Sequence, residues 1–404
     1  MIGGIIVASM IYTPEDEIQN RIKRFQKKLK NTELDCAIIM HHTNLFYFSG
    51  TSQNGHLFIP SEGEPVLLIK KSYKRACLES QIKNIMEVKS IKKIPSILKS
   101  QGFGNLGKIG LELDVVPYNT NSFYMKIFAE SKLSDISKIV NKVRLIKSKY
   151  EIDLLKYSAH VIDEVFKMVP SMLREGMMEI ELAALFESEM RKRGYGGYSQ
   201  MRAFNQDFFM GTLTSGTNGA APTYFDGPVG GMGVTPANNP HGAGWKRIRR
   251  NEVVYIDYTC VVNGYTADTT RMFVIGEISE RLNDAYKKSL KILNEVIKNV
   301  KPGVSCESLY EKAATMVKNW GLTDKFMGMG QDRVRFIGHG VGLELDEMPV
   351  FATGLKMDLA EGMTFAMEPK FVFEEGAVGI ENTYAVTEDG SECLNHAPME
   401  IIQV

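Results

Sequence analysis

The sequence predicts an α/β domain over residues 1–142 and an α+β domain over residues 143–404, the second an antiparallel sheet covered by helices. Three observations carry that reading. Before Val143, short apolar runs alternate with amphipathic stretches, as in a compact α/β unit. After it come long segments of helical periodicity. The C-terminal half then holds two pairs of strand-like runs joined at hairpin tips. At 404 residues the chain is long enough for two domains and a large core.

The elements follow in order. Glu15–Leu29 places Ile18, Ile22, Phe25 and Leu29 at helical spacing. Strands are expected at Cys36–Met40, His56–Pro60, Pro65–Ile69 and Lys108–Leu113, and helical stretches at Tyr73–Ser80 and Asn121–Ala129. Val143–Ser148 reads as a connector. Tyr150–Val169 is a long amphipathic helix with Ile152, Leu155, Ile162, Val165 and Phe166 on one side, and Met178–Arg193 is a second, ending at Gly194. Residues 211–244 hold nine glycines and four prolines and read as one long loop, functional or mobile. Helices return at Leu282–Val300 and Ser305–Trp320, separated by Pro302-Gly303.

Composition narrows the function classes. Lysine plus arginine (48) equals aspartate plus glutamate (48), so no global field draws nucleic acid or an anionic membrane. The five cysteines, Cys36, Cys77, Cys260, Cys306 and Cys393, are odd in number and form no CxxC, which points to neither a disulfide framework nor a thiolate zinc site. The N-terminal run MIGGIIVASMIY is apolar but too short to span a bilayer and lacks a basic start. With PEDE following it, a signal peptide is not expected, and Met10 is a candidate start. A reduced, cytoplasmic protein is the expectation.

Five side chains stand out as candidate metal ligands: Asp257, Asp268, His339, Glu368 and Glu381. Asn263-Gly264 is a type I′ hairpin signal, because both turn positions need positive φ. With a two-residue loop, Val262 faces Tyr265 and Thr259 faces Asp268. Alternation then puts Asp257 and Asp268 on one face as diagonal neighbours, with backbones about 7–8 Å apart. Met363–Phe373 and Val378–Thr387 flank a Glu374-Glu375-Gly376 tip, which brings Glu368 and Glu381 within about one residue of facing, the register being open. His339 lies between Gly338 and Gly340, where backbone can approach closely. Four carboxylates and an imidazole are enough to hold two divalent ions with a water between them, a site suited to amide hydrolysis. His41, His42 and His56 have no carboxylate or cysteine to complete a site, and His160 falls in a helix as a structural residue.

These stretches, YIDYTCVVNGYTADTTRMF, FIGHGVGLELDEMP, MTFAMEPKF and VGIENTYAVTEDG, together with DCAIIMHHTNLFYFSGT and VRLIKSKYEIDLLKYSAHVIDEVF, resemble the creatinase, prolidase and aminopeptidase P family over nearly the whole chain. The resemblance implies a creatinase-like N-terminal domain followed by a metallopeptidase domain of the pita-bread fold. It implies a dinuclear site in which Asp257 chelates one metal, Asp268 and Glu381 bridge both, and His339 and Glu368 complete the other. Glu368 would accept a proton from the attacking water. Manganese is the expected metal, with cobalt, iron or zinc as alternatives. A homodimer is implied in the same way.

His241, in ANNPHGAGW, stands near the place where the family often has a histidine contacting the substrate; the other reading is a solvent-exposed loop residue. Two positions depart from the family pattern. Asp346 stands where a substrate-contacting histidine is common, and Gly379 where an arginine often precedes the last glutamate. An ionised aspartate cannot donate to a developing oxyanion, so Asp346 is turned away, protonated, or set to recognise a cationic group. The expected function is a metal-dependent hydrolase cleaving Xaa-Pro bonds in dipeptides or at peptide N-termini. The alternative is a metal-dependent C–N hydrolase of a non-peptide small molecule, and the third class a non-catalytic binding protein on the same fold.

Overall fold

The structure, a computed structural model, describes residues 12–237 and 240–404. Residues 1–11, which hold Met1 and Met10 and all but the last residue of the apolar N-terminal run, lie outside the described residues. The chain divides into two compact units between Arg144 and Leu145. Among the described residues, no helix is long and apolar enough to cross a membrane.

The first unit runs α1 (Glu15–Leu29), β1 (Cys36–Ile39), α2 (His42–Ser49), β2 (Gly55–Pro60), β3 (Val66–Ile69), α3 (Tyr73–Glu79), β4 (Ile85–Glu87), α4 (Ile94–Ser100), β5 (Lys108–Leu111), α5 (Tyr118–Ile127), β6 (Lys132–Asp135) and α6 (Ser137–Arg144). Its strands form one mixed sheet in the order β4-β3-β2-β1-β5-β6. α1 buries Ile18, Ile22, Phe25 and Leu29, the stripe read from the sequence. α2 escaped that reading for a physical reason. Thr43, Asn44, Leu45, Tyr47, Phe48 and Ser49 are all buried, so it has no polar face to give it a period.

The second unit opens with α7 (Lys149–Phe166), begun by a capping box between Ser148 and Glu151. Short α8 (Val169–Met172) and α9 (Glu179–Lys192) follow. α7 lays Val161, Ile162, Val165 and Phe166 against an apolar cluster that includes Ile256, Cys260 and Phe273. Those three come from the hairpin β8 (Val253–Val262) and β9 (Tyr265–Val274). The register is the one the turn dictates, with Val262 opposite Tyr265 and Thr259 opposite Asp268.

The expected long loop is partly sheet. Gly211–Ser215 forms β7, paired to β8 with Thr212 opposite Asp257. Its composition hid it, and one glycine shows why. A Cβ on Gly211 would come within 2.3 Å of the Tyr258 ring, so the residue that reads as a loop former is there for close approach.

α10 (Glu280–Ile297) and α11 (Cys306–Asn319) then pack Leu282, Ile292, Leu293, Leu309 and Val317 over the remaining strands. These are β10 (Phe336–Val341), β11 (Leu345–Ala352), β12 (Thr364–Met367), β13 (Lys370–Phe373), β14 (Gly376–Gly379), β15 (Asn382–Val386), β16 (Ser391–Cys393) and β17 (Ile402–Gln403). The second hairpin is not the continuous pair expected. β12 pairs with β15 in one sheet and β13 with β14 in another, and the break falls at Glu368-Pro369 and Ile380-Glu381. Proline has no N–H to give a ladder, and the Ile380 N to Pro369 O contact is stretched to 3.5 Å. Met367 faces Asn382 and Lys370 faces Gly379, so counting inward from either side sets Glu368 against Glu381. At the break Glu381 bridges to Thr270 of β9 instead, and Glu368 N donates to Ile337 O of β10.

Arg271, 1% exposed, locks β9 to this region. Its guanidinium donates to the carbonyls of Thr270, Glu381 and Ala397 and to Asn382 Oδ1, at 2.7–3.0 Å. Arg271→Ala should therefore destabilise the second unit by about 3 kcal/mol, because several buried acceptors lose their donor at once. Denaturant unfolding monitored by circular dichroism measures this, and a loss within error of zero would show that water replaces the guanidinium.

Candidate metal centre

All five candidate ligands come together. β8 and β9 bring Asp257 and Asp268, β10 brings His339, and the break between β12 and β13 brings Glu368 opposite Glu381. Cross-links pin the arrangement. Thr270 Oγ1 donates to Glu381 Oε2 at 2.9 Å, and Thr383 Oγ1 both receives from Asp268 N and donates to Asp268 O. Asp268, His339, Glu368 and Glu381 are between 1% and 6% exposed.

The imidazole is central. His339 Nε2 lies 3.8 Å from Asp268 Oδ2, 3.6 Å from Glu368 Oε1 and 3.9 Å from Glu381 Oε1. Donors bound at about 2.1 Å in a tetrahedron are about 3.4 Å apart, so this spacing surrounds an ion-sized gap. Asp268, His339 and Glu381 offer donor atoms all within 4.8 Å of one another. Glu381 Oε1 has no hydrogen-bond partner although its residue is 1% exposed. A buried carboxylate oxygen left that way is costly, and a divalent cation at this point would satisfy it. The residues fit the group.

Electrostatics agree with the geometry. Burial, reinforced by Glu381 and Asp257, pushes the Asp268 carboxyl well above its usual range. Burial also pushes Glu381 to about 8, with Lys370 opposing the rise and Asp257 and Glu368 adding to it. Burial alone would lower His339, but the carboxylates of Asp346, Glu368 and Glu381 outweigh it and the imidazole is raised. The two carboxylates are short of opposite charge, and the imidazole stands in an excess of negative charge.

One cation is already built in, and the sequence reading missed it. Lys370 Nζ donates to Asp257 Oδ2 at 2.8 Å, Glu368 Oε2 at 2.7 Å and Glu381 Oε2 at 2.8 Å. Its side chain is 1% exposed and its nitrogen stands 5.7 Å from the centre of the Tyr255 ring. Burial works against the ammonium, yet the three carboxylates hold it well above the ordinary lysine value. Lys370 lies two residues after Glu368 at the head of the apolar run KFVF, a place where a solvated lysine has no business. That was the available signal.

Asp346 is not turned away. It adopts a left-handed backbone, φ 62°, and its Oδ1 lies 3.3 Å from His339 Nδ1, which also faces Gly340 O at 3.3 Å. A proton on Nδ1 would leave Nε2 as the free donor toward the gap. Although its side chain is 36% exposed, desolvation inside the pocket pushes the Asp346 carboxyl up, His339 opposes the shift, and Asp226 adds to it. His241 is not an exposed loop residue either. It is 6% exposed, with Nε2 2.5 Å from Thr212 Oγ1 and Nδ1 3.1 Å from Thr223 Oγ1.

A pocket opens onto the centre. Its floor is Asp257, Asp268, His339, Glu368, Lys370 and Glu381; its wall is Phe208, Phe225, Pro228, Val229, Phe336 and Leu345; Asp226 and Asp346 line it as well. His41, His42 and His56 line a different cavity, within the first unit, beside Lys70 and without a carboxylate among its lining.

Comparison with known proteins agrees with this architecture. Residues 153–388 match metallopeptidase family M24, and residues 21–146 match the creatinase/prolidase N-terminal domain. The chain belongs to metallopeptidase family M24, and its second unit has the pita-bread fold. It is 27% identical over 389 residues to an Xaa-Pro dipeptidase of Pyrococcus furiosus, covering 95% of this chain and all of that one. It superposes on the prolidase of Pyrococcus horikoshii with a TM-score of 0.79 at 25% identity, over 95% of this chain and 100% of the other. An Xaa-Pro dipeptidase from Bacillus anthracis shares the fold with a TM-score of 0.82 at 24% identity, over 96% of this chain and 100% of the other.

The His241 environment makes a testable statement. Burial lowers its pKa to about 4, with Asp257 opposing the shift. The neutral ring is thus the folded form, and its contribution to stability is full above about pH 6.5 and declines as pH falls through about 4. Nuclear magnetic resonance of labelled histidine should show no protonation of His241 between about pH 5 and pH 8; a midpoint near 6.5 would mean the ring is open to water.

Proposed function

We propose that the chain hydrolyses Xaa-Pro bonds, in dipeptides or at peptide N-termini, with divalent metal held by Asp268, His339, Glu368 and Glu381 and with Asp257 beside them. One observation carries the reading: the donors around His339 Nε2, spaced 3.6–3.9 Å from it, form the floor of a pocket whose wall is apolar and aromatic. A divalent ion there would supply an acidified water and polarise the scissile carbonyl.

The chain's own residues do the rest. Glu368 turns Oε2 to Lys370 and Oε1 toward the gap, where it is placed to take a proton from the water as it adds to the carbonyl carbon and to pass it to the proline nitrogen as the C–N bond breaks. A prolyl amide has no N–H, so the bond needs no acceptor on its nitrogen side. Phe208, Phe225, Val229 and Leu345 suit the ring that follows it. Asp226 and Asp346 put negative charge where the free ammonium of a dipeptide would sit. That role gives the departure at Asp346 a purpose, since the same carboxylate faces His339. His241 acts from behind, by holding Thr212 opposite Asp257.

Manganese suits this oxygen-rich donor set, and a cytoplasmic homodimer remains part of the reading. Relatives named Xaa-Pro dipeptidase and prolidase support the substrate class.

Two outcomes are expected. Incubated with manganese and a panel of Xaa-Pro dipeptides, longer Xaa-Pro peptides and small amidines, the protein should release the N-terminal residue from the proline-containing substrates, read by mass spectrometry. Turnover of the amidines alone would move it to the non-peptide hydrolases. Asp346→Ala should weaken metal binding about 10–100-fold, the usual loss when a group orienting a ligating histidine is removed. Chelator competition measures this, and unchanged affinity would show that the contact at 3.3 Å does not orient the ring.

A further inference from the structure

We propose that Lys370 is a resident cation that takes the place of a second metal ion, so that the centre holds one divalent ion, on the His339 side, and one ammonium, on the Asp257 side. The inference rests on the metal reading above and concerns how many ions the site accepts.

The donor atoms divide into two sets. Asp257 Oδ2, Glu368 Oε2 and Glu381 Oε2 all face Lys370 Nζ at 2.7–2.8 Å. An ammonium has three N–H donors, and here each has a carboxylate. A second set, Asp268 Oδ2, Glu368 Oε1 and Glu381 Oε1, surrounds His339 Nε2 at 3.6–3.9 Å. Glu381 Oε1 is the oxygen without a partner. Glu368 and Glu381 each give one oxygen to the ammonium and turn the other toward the gap, as bridging carboxylates between two cations would.

The first set cannot serve both cations. An ion bound to these three oxygens would stand about 2.1 Å from each, in the space the lysine nitrogen fills. Nor is the lysine a surface group that has drifted inward. Its side chain is 1% exposed, and its stem crosses Gly379 on the facing strand, the residue paired with it in the β13–β14 ladder. A Cβ at Gly379 would meet Lys370 Cγ at 2.4 Å and Cα at 2.9 Å. The absence of a side chain at position 379 is what gives the lysine its path to the carboxylates. Tyr255 seals the far side, its ring beneath the ammonium and its hydroxyl donating to Asp257 Oδ2 at 2.5 Å.

Ion stoichiometry tests this without reference to activity. Metal-free wild-type protein is titrated with manganese by calorimetry, and the loaded sample is examined by electron paramagnetic resonance. The expected result is one equivalent per chain and the hyperfine pattern of an isolated ion. Lys370→Gly, which empties the position, should accept a second equivalent and give the spectrum of an exchange-coupled pair. Two equivalents and a coupled spectrum in the wild type would overturn the proposal, whether or not the variant folds. One equivalent in both proteins would overturn the assignment of the excluded position to Lys370. No binding in the wild type would instead overturn the metal reading on which the proposal rests, and is told apart from the other failures by its count.

Discussion

Three buried carboxylates and a partly buried fourth, Asp257, set the conditions that the rest of the second unit must meet. Two unit charges 4 Å apart repel by about 4 kcal/mol even at an effective dielectric of 20, and burial together with repulsion from Asp257 and Glu368 raises the Glu381 carboxyl. Desolvation adds to the cost. Such a cluster survives folding only if the scaffold is rigid and cations stand among the charges. The scaffold comes from Arg271 on the Glu381 carbonyl, Thr270 on its carboxylate, and Thr383, whose hydroxyl accepts from the Asp268 N–H and donates to the Asp268 carbonyl. One cation is Lys370; the donors about His339 leave room for another.

The sheets deliver these groups through register, and much of that register is legible in the sequence. Asn263-Gly264 specifies a two-residue turn, and a two-residue turn fixes every pairing from Val262–Tyr265 back to Val253–Val274. Asp257 and Asp268 share a face for that reason alone. The long helices were equally plain, because Lys149–Phe166 and Glu280–Ile297 each bury one stripe and expose the other. The five candidate ligands were recognisable from local context, two aspartates placed by a hairpin, a histidine between two glycines, and two glutamates in apolar strand-like runs. A glutamate in such a run breaks a local rule, and such breaks are where function concentrates.

What escaped had in each case lost the signal that periodicity needs. α2 is buried nearly all round, so no face alternates. β7 carries Gly211 because the Tyr258 ring lies on its backbone, and a glycine-rich strand reads as loop. The second hairpin looked continuous because apolar alternation passes through Pro369, whereas the hydrogen-bond ladder cannot. His241 and Asp346 were visible as residues but not as roles. One is held between two threonine hydroxyls, and the other reaches His339 only because its backbone is left-handed. Sequence spacing carries no trace of either contact.

Gly379 and Lys370 show how two such silent changes explain each other. The family that the sequence resembles often has arginine at the position of Gly379, and its absence alone reads as lost positive charge. In the ladder, Gly379 is the partner of Lys370, and the two side chains would compete for one volume, since even a Cβ at 379 falls 2.4 Å from Lys370 Cγ. Only one of the strands can send a side chain across that spot. Here β13 does so, and its stem reaches further in than a group on the wall, to within 2.8 Å of three carboxylates. A positive charge therefore stands within the centre, delivered from β13 across the glycine of β14. A glycine on one strand and a lysine on the other form a single substitution in space, which is why neither is interpretable alone.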